Sequence, residues 1–456
     1  MPRALRGSEL PRAGSPRRPP LLAVCAILTG ALDPAGVVGA GQDAFITPQS
    51  ELFTNVTVID GRGGPPRPSS AVLVWGGRIR DIGAQGSVAA PEGTVVVDLS
   101  GSYLIPGFID AHASPQTTEE LRALLAAGIT GVRDGATSPA AFEQRGRGGF
   151  GEDPVPAVYV GGPILDAGSA PRGVALESET AAVAEVERQA ADGAGFVSVA
   201  SGVPPSWLVG IARAARRAEV PLWADRRDGG WLLALRAGST VASPLISGDS
   251  ELLPESARAS LEALAEAGQV PIQIAWLERL EPQGPDVDRA VTALLSNDSA
   301  LLPLLASASA SRDCPADAAT CAPLSNDERS ALQAIWPKAE ALVQTFHGHG
   351  VRLLVGSDAP RTTPWGEGFH SEMRLLVEAG IPPLEVLGMA TRNGAIALGQ
   401  LHERGTIEIG KRADFLVLEA NPAADIRNAR RISFVVIDGD AWAFDREGHW
   451  RRVRFN

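Results

Sequence analysis

Both ends of the chain carry short runs of β-branched and aliphatic residues separated by glycine-rich turns. In the N-terminal part these runs predict strands at 55–60, 71–75, 78–82 and 94–98, with Gly76-Gly77 as a hairpin turn. In the C-terminal part the same texture predicts strands at 413–418 and 434–439, after a turn at Gly410-Lys411. The sequence therefore predicts an all-β region at each end of the chain.

The middle of the chain alternates apolar runs with amphipathic stretches. The runs predict eight strands, at 108–113, 129–134, 157–163, 196–200, 221–225, 240–245, 271–276 and 353–358. Predicted helices lie between most of them, at 119–127, 179–191, 207–218, 254–267 and 327–346. This alternation predicts an α/β fold, a (β/α)8 TIM barrel with its active site at the carboxyl ends of the strands. Residues 297–326 are rich in Ser and Ala and are interpreted as an insertion, either a lid or a surface loop.

The composition narrows the function classes. A chain of 456 residues with 45% hydrophobic residues can bury a large core. Its formal net charge of -12 argues against nucleic-acid binding, which needs a basic surface. A small-molecule ligand or substrate is the partner we expect, and the sequence leaves the oligomeric state open.

The first forty residues have the order of zones found in an export signal. Five arginines up to Arg18 precede an apolar run at 21–32, which is too short to span a membrane, and small residues reach Ala40. We therefore predict a signal peptide at 1–40, a linker at 41–50 and a mature chain with no transmembrane span, exported to the periplasm or the medium. A disordered basic tail is the alternative. Arg17-Arg18 matches a twin-arginine signal poorly because prolines follow, so the export route stays open.

Two cysteines remain in the mature chain. Cys314 and Cys321 lie in a loop rich in Ser, Asp and Ala. In an exported protein such a pair predicts a disulfide. Two free thiols are the alternative, and a metal site is disfavoured because no histidine is close in sequence.

Several motifs in a fixed order resemble the amidohydrolase superfamily, in particular its imidazolonepropionase-like and prolidase-like members. The resemblance covers residues 51 to about 440. Its motifs are Pro-Gly-Phe-Ile-Asp-Ala-His at 106–112, Gly-Ile-Thr-Gly-Val-Arg-Asp at 128–134, Gly-Ser-Asp-Ala at 356–359, Ala-Thr-Arg-Asn-Gly-Ala at 390–395 and Gly-Thr-Ile-Glu-Ile-Gly-Lys-Arg-Ala-Asp-Phe at 405–415. It implies a barrel at 107–399 beside a composite β-sandwich built from 51–106 and 400–456.

The resemblance also implies a metal-dependent hydrolase of C–N bonds. Typical members take two histidines from the first strand, a carboxylated lysine from the fourth, and one histidine each from the fifth and sixth. An aspartate of the eighth strand binds metal and takes the proton of the attacking water. A divalent ion in such a site lowers the pKa of bound water and polarises the scissile bond.

This chain retains two of those six ligands, His112 and Asp358. Ser114, Ser198 and Ser243 stand at three of the other positions, and Asp225 stands at the fifth-strand position. Neither of the two lysines, Lys338 and Lys411, lies on a predicted barrel strand. The sequence thus predicts at most one divalent ion, zinc or similar, weakly bound by His112, Asp225 and Asp358, or none.

Each candidate has a structural alternative. Asp358 is the predicted catalytic residue, and the alternative is that its side chain caps the next turn. His112 alone is often a hydrogen-bonded structural residue, and Asp225 has arginine neighbours for a salt bridge. Arg133 and His370 are predicted substrate contacts. The alternatives are an ion pair of Arg133 with Asp134 and a solvent-exposed loop for His370.

Two functions follow from these observations. The first is an exported member of the superfamily that has lost most metal-dependent hydrolysis and binds a small molecule, and the replaced ligands favour it. The alternative is an active mononuclear amidohydrolase acting on carbon–nitrogen bonds other than peptide bonds.

Overall fold

The computed structural model describes ten stretches of the chain. They are residues 50–134, 154–167, 173–200, 203–225, 240–242, 281–296, 300–312, 326–359, 364–445 and 449–455. The predicted signal peptide, the Cys314–Cys321 disulfide, Ser243, the predicted strand at 271–276 and the predicted helix at 254–267 lie outside the described residues.

Nineteen strands occupy the described part of the chain, and many follow the predicted apolar runs closely. They are β1 Glu51–Val58, β2 Arg67–Trp75, β3 Arg78–Ala84, β4 Val95–Asp98, β5 Tyr103–Pro106, β6 Phe108–Ala113, β7 Ile129–Asp134, β8 Ala157–Val160, β9 Ile164–Asp166, β10 Gly173–Ala175, β11 Val197–Ala200, β12 Leu222–Asp225, β13 Thr240–Ala242, β14 Ala300–Leu302, β15 Arg352–Leu353, β16 Phe415–Leu418, β17 Ile432–Ile437, β18 Asp440–Phe444 and β19 Trp450–Arg452.

One nine-stranded sheet contains strands from both ends of the described chain. Its order is β19-β18-β17-β16-β5-β1-β2-β3, with β4 beside β1. Gly76 and Gly77 join β2 to β3 with φ angles of 60° and 71°, the left-handed pair that a tight hairpin requires. Phe53 of β1 and Phe415 of β16 meet in its core with ring centroids 5.4 Å apart. Strands from the two ends are thus neighbours in one sheet, and the composite sandwich stays a prediction.

The strands of the middle region form two parallel sheets. One has the order β10-β9-β11-β12-β13-β14-β15 and the other the order β6-β7-β8. Strands β6 and β7 coincide with the predicted runs, and every described residue of both is buried, as expected for strands covered on both faces. The fold is of the TIM-barrel type, but the described strands do not form a single closed sheet.

Helices lie between many of these strands. They are α1 Thr118–Ala126, α2 Glu179–Ala191, α3 Leu208–Arg217, α4 Pro285–Ser296, α5 Leu305–Arg312, α6 Asn326–Gly348, α7 Glu367–Glu378, α8 Pro383–Gly388 and α9 Gly394–Ala397, with 3-10 turns at Pro205–Trp207 and Ile426–Arg430 and a π-helical segment at Met389–Asn393. Thr117 begins α1 with a capping box, since its hydroxyl accepts from Glu120 N at 3.2 Å and the Glu120 carboxylate accepts from Thr117 N at 2.9 Å. None of the described helices is long and apolar enough to cross a membrane.

The region 297–326 corrects one prediction. Residues 300–302 are not an insertion but the strand β14, which lies between β13 and β15, and α5 follows it. The apolar Ala300-Leu301-Leu302 run is almost fully buried, with exposures of 1%, 2% and 0%. Burial of three consecutive residues is expected of a strand with both faces covered.

Candidate functional site

The site begins where β6 runs beside the segment that follows β15. Ala111 N donates to Val355 O at 3.0 Å, Asp358 N to His112 O at 2.8 Å, and Ser114 N to Ala359 O at 3.0 Å. These bonds place the two retained ligand positions side by side. His112 Nε2 lies 3.4 Å from Asp358 Oδ1, with side chains 11% and 15% exposed. The predicted proximity of His112 and Asp358 is thus observed.

Asp358 itself has an unusual backbone. The predicted eighth strand ends early, at Leu353, and Asp358 has a φ of 53°. A left-handed conformation is uncommon outside glycine, although aspartate tolerates it better than most residues. The surrounding backbone bonds hold Asp358 in this turn, which directs its carboxylate toward His112.

The buried carboxyl group of Asp110 accepts hydrogen bonds from the backbone on both sides of this site. Asp110 Oδ1 accepts from His112 N and from Ser357 N, both at 3.0 Å. Asp110 is fully buried, and burial raises its pKa to about 6 despite the hydrogen bonds with Ser357 and His112. Asp110 therefore links the backbones that carry both site residues, a role that the strand alternation of 110 and 112 hints at and that we did not predict.

Arg133, near the end of β7, is a predicted substrate contact, but its contact with His112 was not predicted. Its Nη1 lies 2.9 Å from His112 Nδ1, and its Nη2 donates to Ser198 Oγ at 3.3 Å. The guanidinium carbon lies 4.0 Å from the Trp223 ring centroid and 4.6 Å from that of Phe196. Arg133 is only 1% exposed, so the structure places a cation inside the fold, against two aromatic rings.

The contact with Arg133 fixes the proton on His112. A guanidinium has donors and no acceptor, so His112 Nδ1 must accept. The ring proton of the neutral imidazole then lies on Nε2, which faces the Asp358 carboxylate. Both ring nitrogens are engaged within the protein in this arrangement.

Two further candidates lie on the neighbouring strands β11 and β12. Asp225 is the last residue of β12 and pairs in the sheet with Ala200. Ser198 is 4% exposed and contacts Arg133, at the position where the resemblance expects a lysine. Among the described side chains, no group of three or more His, Cys, Asp or Glu is arranged to hold a metal ion.

His370 does not join the pair. It lies in α7, its Nε2 lies 2.8 Å from Ala127 O, and its ring packs on Phe108, 5.8 Å between centroids. Phe108 begins β6, four residues before His112, which is about 13 Å along a strand. Burial lowers the pKa of His370 to about 4, so the ring is neutral. The predicted substrate contact at the barrel mouth is therefore replaced by a buried residue at the other end of the strand.

The comparisons with known proteins agree with this description. The sequence profile of the amidohydrolase family matches residues 309–441. No curated protein sequence matches the chain. Among solved structures, 226 chains match.

Three of these structures illustrate the likeness. A protein assigned as a prolidase from Bifidobacterium longum is 21% identical with a TM-score of 0.66, over 87% of this chain and 95% of that one. Phenylurea hydrolase B is 21% identical with a TM-score of 0.64, over 86% and 96%. Molinate hydrolase is 17% identical with a TM-score of 0.64, over 87% and 95%. At these identities the likeness establishes a common fold. The profile match and the ordered sequence motifs support an assignment to the amidohydrolase superfamily.

Proposed function

We propose that this protein is a superfamily member in which an internal guanidinium has taken over from the metal centre, and that it binds a small molecule without efficient hydrolysis. The observation that carries the proposal is the 2.9 Å contact between Arg133 Nη1 and His112 Nδ1. Hydrolysis of C–N bonds, assisted by a divalent metal, is the chemistry of the amidohydrolase family, whose profile matches residues 309–441.

The donor set fits a two-metal centre poorly. Ser198 supplies a neutral hydroxyl at the position where a carbamate is expected, and that hydroxyl accepts from Arg133. Ser114 and Ser243 likewise replace imidazoles in the sequence. No more than His112, Asp225 and Asp358 remain as conventional ligands.

The charge of Arg133 further weakens binding of a metal ion at His112. A divalent ion bound to His112 Nε2 would be repelled by the Arg133 guanidinium, which contacts the other ring nitrogen of His112. Binding would also require the Nε2 proton to leave. The cation against Phe196 and Trp223 therefore weakens any metal site next to it.

A mononuclear amidohydrolase is the second candidate. The observation in its favour is the retained pair of His112 and Asp358, which stay 3.4 Å apart and partly open to solvent. An aspartate in that position is suited to accept a proton from an attacking water.

Two further parts of the proposal concern the architecture and the location. We propose that the two parallel sheets belong to one barrel, which is supported by hydrogen bonds from Ala111 N to Val355 O and from Gly195 N to Val160 O across their edges.

We also propose export with cleavage near Ala40. This proposal is based only on the sequence of basic, apolar and small-residue zones in the first forty residues.

Metal analysis of the untagged mature protein tests the proposed function. We expect well under one tightly bound transition metal per chain and little turnover of amide, lactam or lactone substrates. Two bound metals with robust turnover that Asp358→Asn abolishes would overturn the proposal. One metal with weak turnover, abolished by the same change, would establish the mononuclear candidate instead.

A further inference from the structure

His370 lines a cavity away from the His112–Asp358 pair. The cavity has a volume of about 280 Å³ and lies between α7 and the 3-10 turn Ile426–Arg430, which pack against each other. Helix α7 contributes His370, Ser371 and Arg374, and the turn contributes Ile426, Arg427 and Arg430. We call this cavity the arginine cleft.

Positive charge dominates the lining of the arginine cleft. Three of its six lining residues are arginines and none is acidic, although the whole chain has a net charge of -12. Their carboxylate partners, Glu378, Asp425 and Glu367, are not among the lining residues. The three arginines thus line the cleft, whereas the carboxylates that pair with them are not among its lining residues.

Each of these ion pairs uses only part of a guanidinium. Arg374 bonds both oxygens of Glu378 through Nη1 alone, at 2.6 and 2.7 Å. Arg430 bonds Glu367 through Nη1 and Nη2, and Arg427 bonds Asp425 through Nε and Nη2. Since a guanidinium has five N–H donors, each retains donors beyond its carboxylate pair. Such donors match the oxygens of a carboxylate or phosphate.

The other lining residues give the cleft an apolar wall. Ile426 is buried to 5% exposure, and the His370 ring is held by Ala127 O and neutral. Burial is the main cause of its low pKa, and the charges of Arg430 and Glu367 act on it in opposite directions. The volume exceeds what one oxyanion fills, so an organic group has room beside it.

We propose that the arginine cleft binds a small organic molecule through an oxyanion group. The oxyanion, a carboxylate or a phosphate, bonds Arg374 and Arg430, while the organic part packs on Ile426 and His370. This site is separate from the His112–Asp358 pair and does not depend on the function proposed for that pair.

Calorimetric titration of the full mature protein at low salt tests the inference with three probes: phenyl phosphate, benzoate and inorganic phosphate. We expect saturable binding of phenyl phosphate or benzoate. The double variant Arg374→Gln with Arg430→Gln should weaken it about tenfold or more. Glu367→Gln should tighten it, because this change releases the Arg430 donors that now bond Glu367.

Arg431→Gln is the matched control. Arg431 follows Arg430 directly, pairs with Glu419 and does not line the cleft, so its replacement should leave binding unchanged. Stronger binding of phenyl phosphate than of benzoate would identify a phosphate ligand, and the reverse order a carboxylate. Absence of saturable binding by all three probes, or equal losses in the control and the double variant, would overturn the proposal. If the double variant does not fold, the sign of the Glu367→Gln effect decides: unchanged or weaker binding contradicts the inference.

Discussion

The two sides of the candidate site carry different kinds of side chain. On the side of β6 and the segment after β15, His112 and Asp358 keep their positions and lie 3.4 Å apart. On the side of β11 and β12, Ser198 and the Trp223 ring surround the Arg133 guanidinium. One side thus carries a histidine and an aspartate, and the other side carries a buried arginine.

The comparison shows why retained ligand residues alone do not imply a metal site. His112 is common to both sides, since its Nε2 faces Asp358 and its Nδ1 faces Arg133. A histidine that accepts from a guanidinium has its remaining proton on the nitrogen that a metal would need. The contact with Arg133 on one side therefore determines which His112 nitrogen faces Asp358 with a proton on the other side.

Removal of the cation should have the largest effect on stability. Arg133→Ala leaves a cavity against Phe196 and Trp223 and removes the partner of His112 Nδ1. We expect a loss of roughly 3 kcal/mol or more in the free energy of unfolding, measured by urea denaturation.

Arg188→Ala is the control for that measurement. Arg188 is half exposed in its ion pairs with Glu185 and Asp192, and such surface pairs contribute under about 1 kcal/mol. Similar losses for the two variants would show that the buried guanidinium is no more important than a surface arginine.

Buried acidic residues lie near the side of the site that carries His112 and Asp358. They predict that the free energy of unfolding depends on pH. Glu372 of α7 is fully buried and its Oε2 accepts from Ala306 N at 2.6 Å. Burial raises its pKa from 4.5 to about 8, with a further contribution from Asp110. The folded state therefore keeps a proton that the unfolded state loses near pH 4.5. Stability from this group is complete below that pH and is lost as pH rises toward 8.

Glu372→Gln isolates this effect, because an amide oxygen can still accept from Ala306 N. We expect the wild-type free energy of unfolding to fall between pH 5 and 8 with a slope of up to about 1.4 kcal/mol per pH unit. The variant should show a flatter profile, and the exposed Glu187→Gln should retain the wild-type slope. An identical slope in Glu372→Gln would contradict the assignment.

The smallest effect is expected from Ser198→Ala on the side of the cation. Only one hydrogen bond to Arg133 Nη2, 3.3 Å long, is lost, and the methyl group of alanine still packs. A destabilisation of about 0.5–1.5 kcal/mol is expected from thermal or urea unfolding. A loss as large as that of Arg133→Ala would mean that Ser198, not the aromatic pair, holds the guanidinium.

The sequence predicts those elements whose signal is local. β6 and β7 match their predicted bounds because each is a continuous apolar run bordered by Gly107 or Gly128. The helix Glu179–Ala191 also matches, since Ser178 caps it and its hydroxyl accepts from Ala181 N at 3.2 Å. Strand β14 was missed because three apolar residues in a Ser/Ala-rich stretch give no periodicity.

The site depends on distances that the sequence does not contain. The motif order correctly indicates that His112 and Asp358 belong together, but it gives no sign that Arg133 reaches His112 across the sheet. His370 was misplaced because its position shortly after a strand does not specify which end of the strand its helix covers. Long-range pairing and helix orientation are tertiary properties, which explains both errors.

The protonation of the His112 ring tests the central claim most directly. Nitrogen-15 NMR of labelled protein, with His112→Gln used to assign the signals, reports which ring nitrogen carries the proton. The account predicts an unprotonated Nδ1 and a protonated Nε2 that do not change when one equivalent of Zn²⁺ is added. A ring protonated on Nδ1, or an Nε2 signal that shifts stoichiometrically with Zn²⁺, would contradict it.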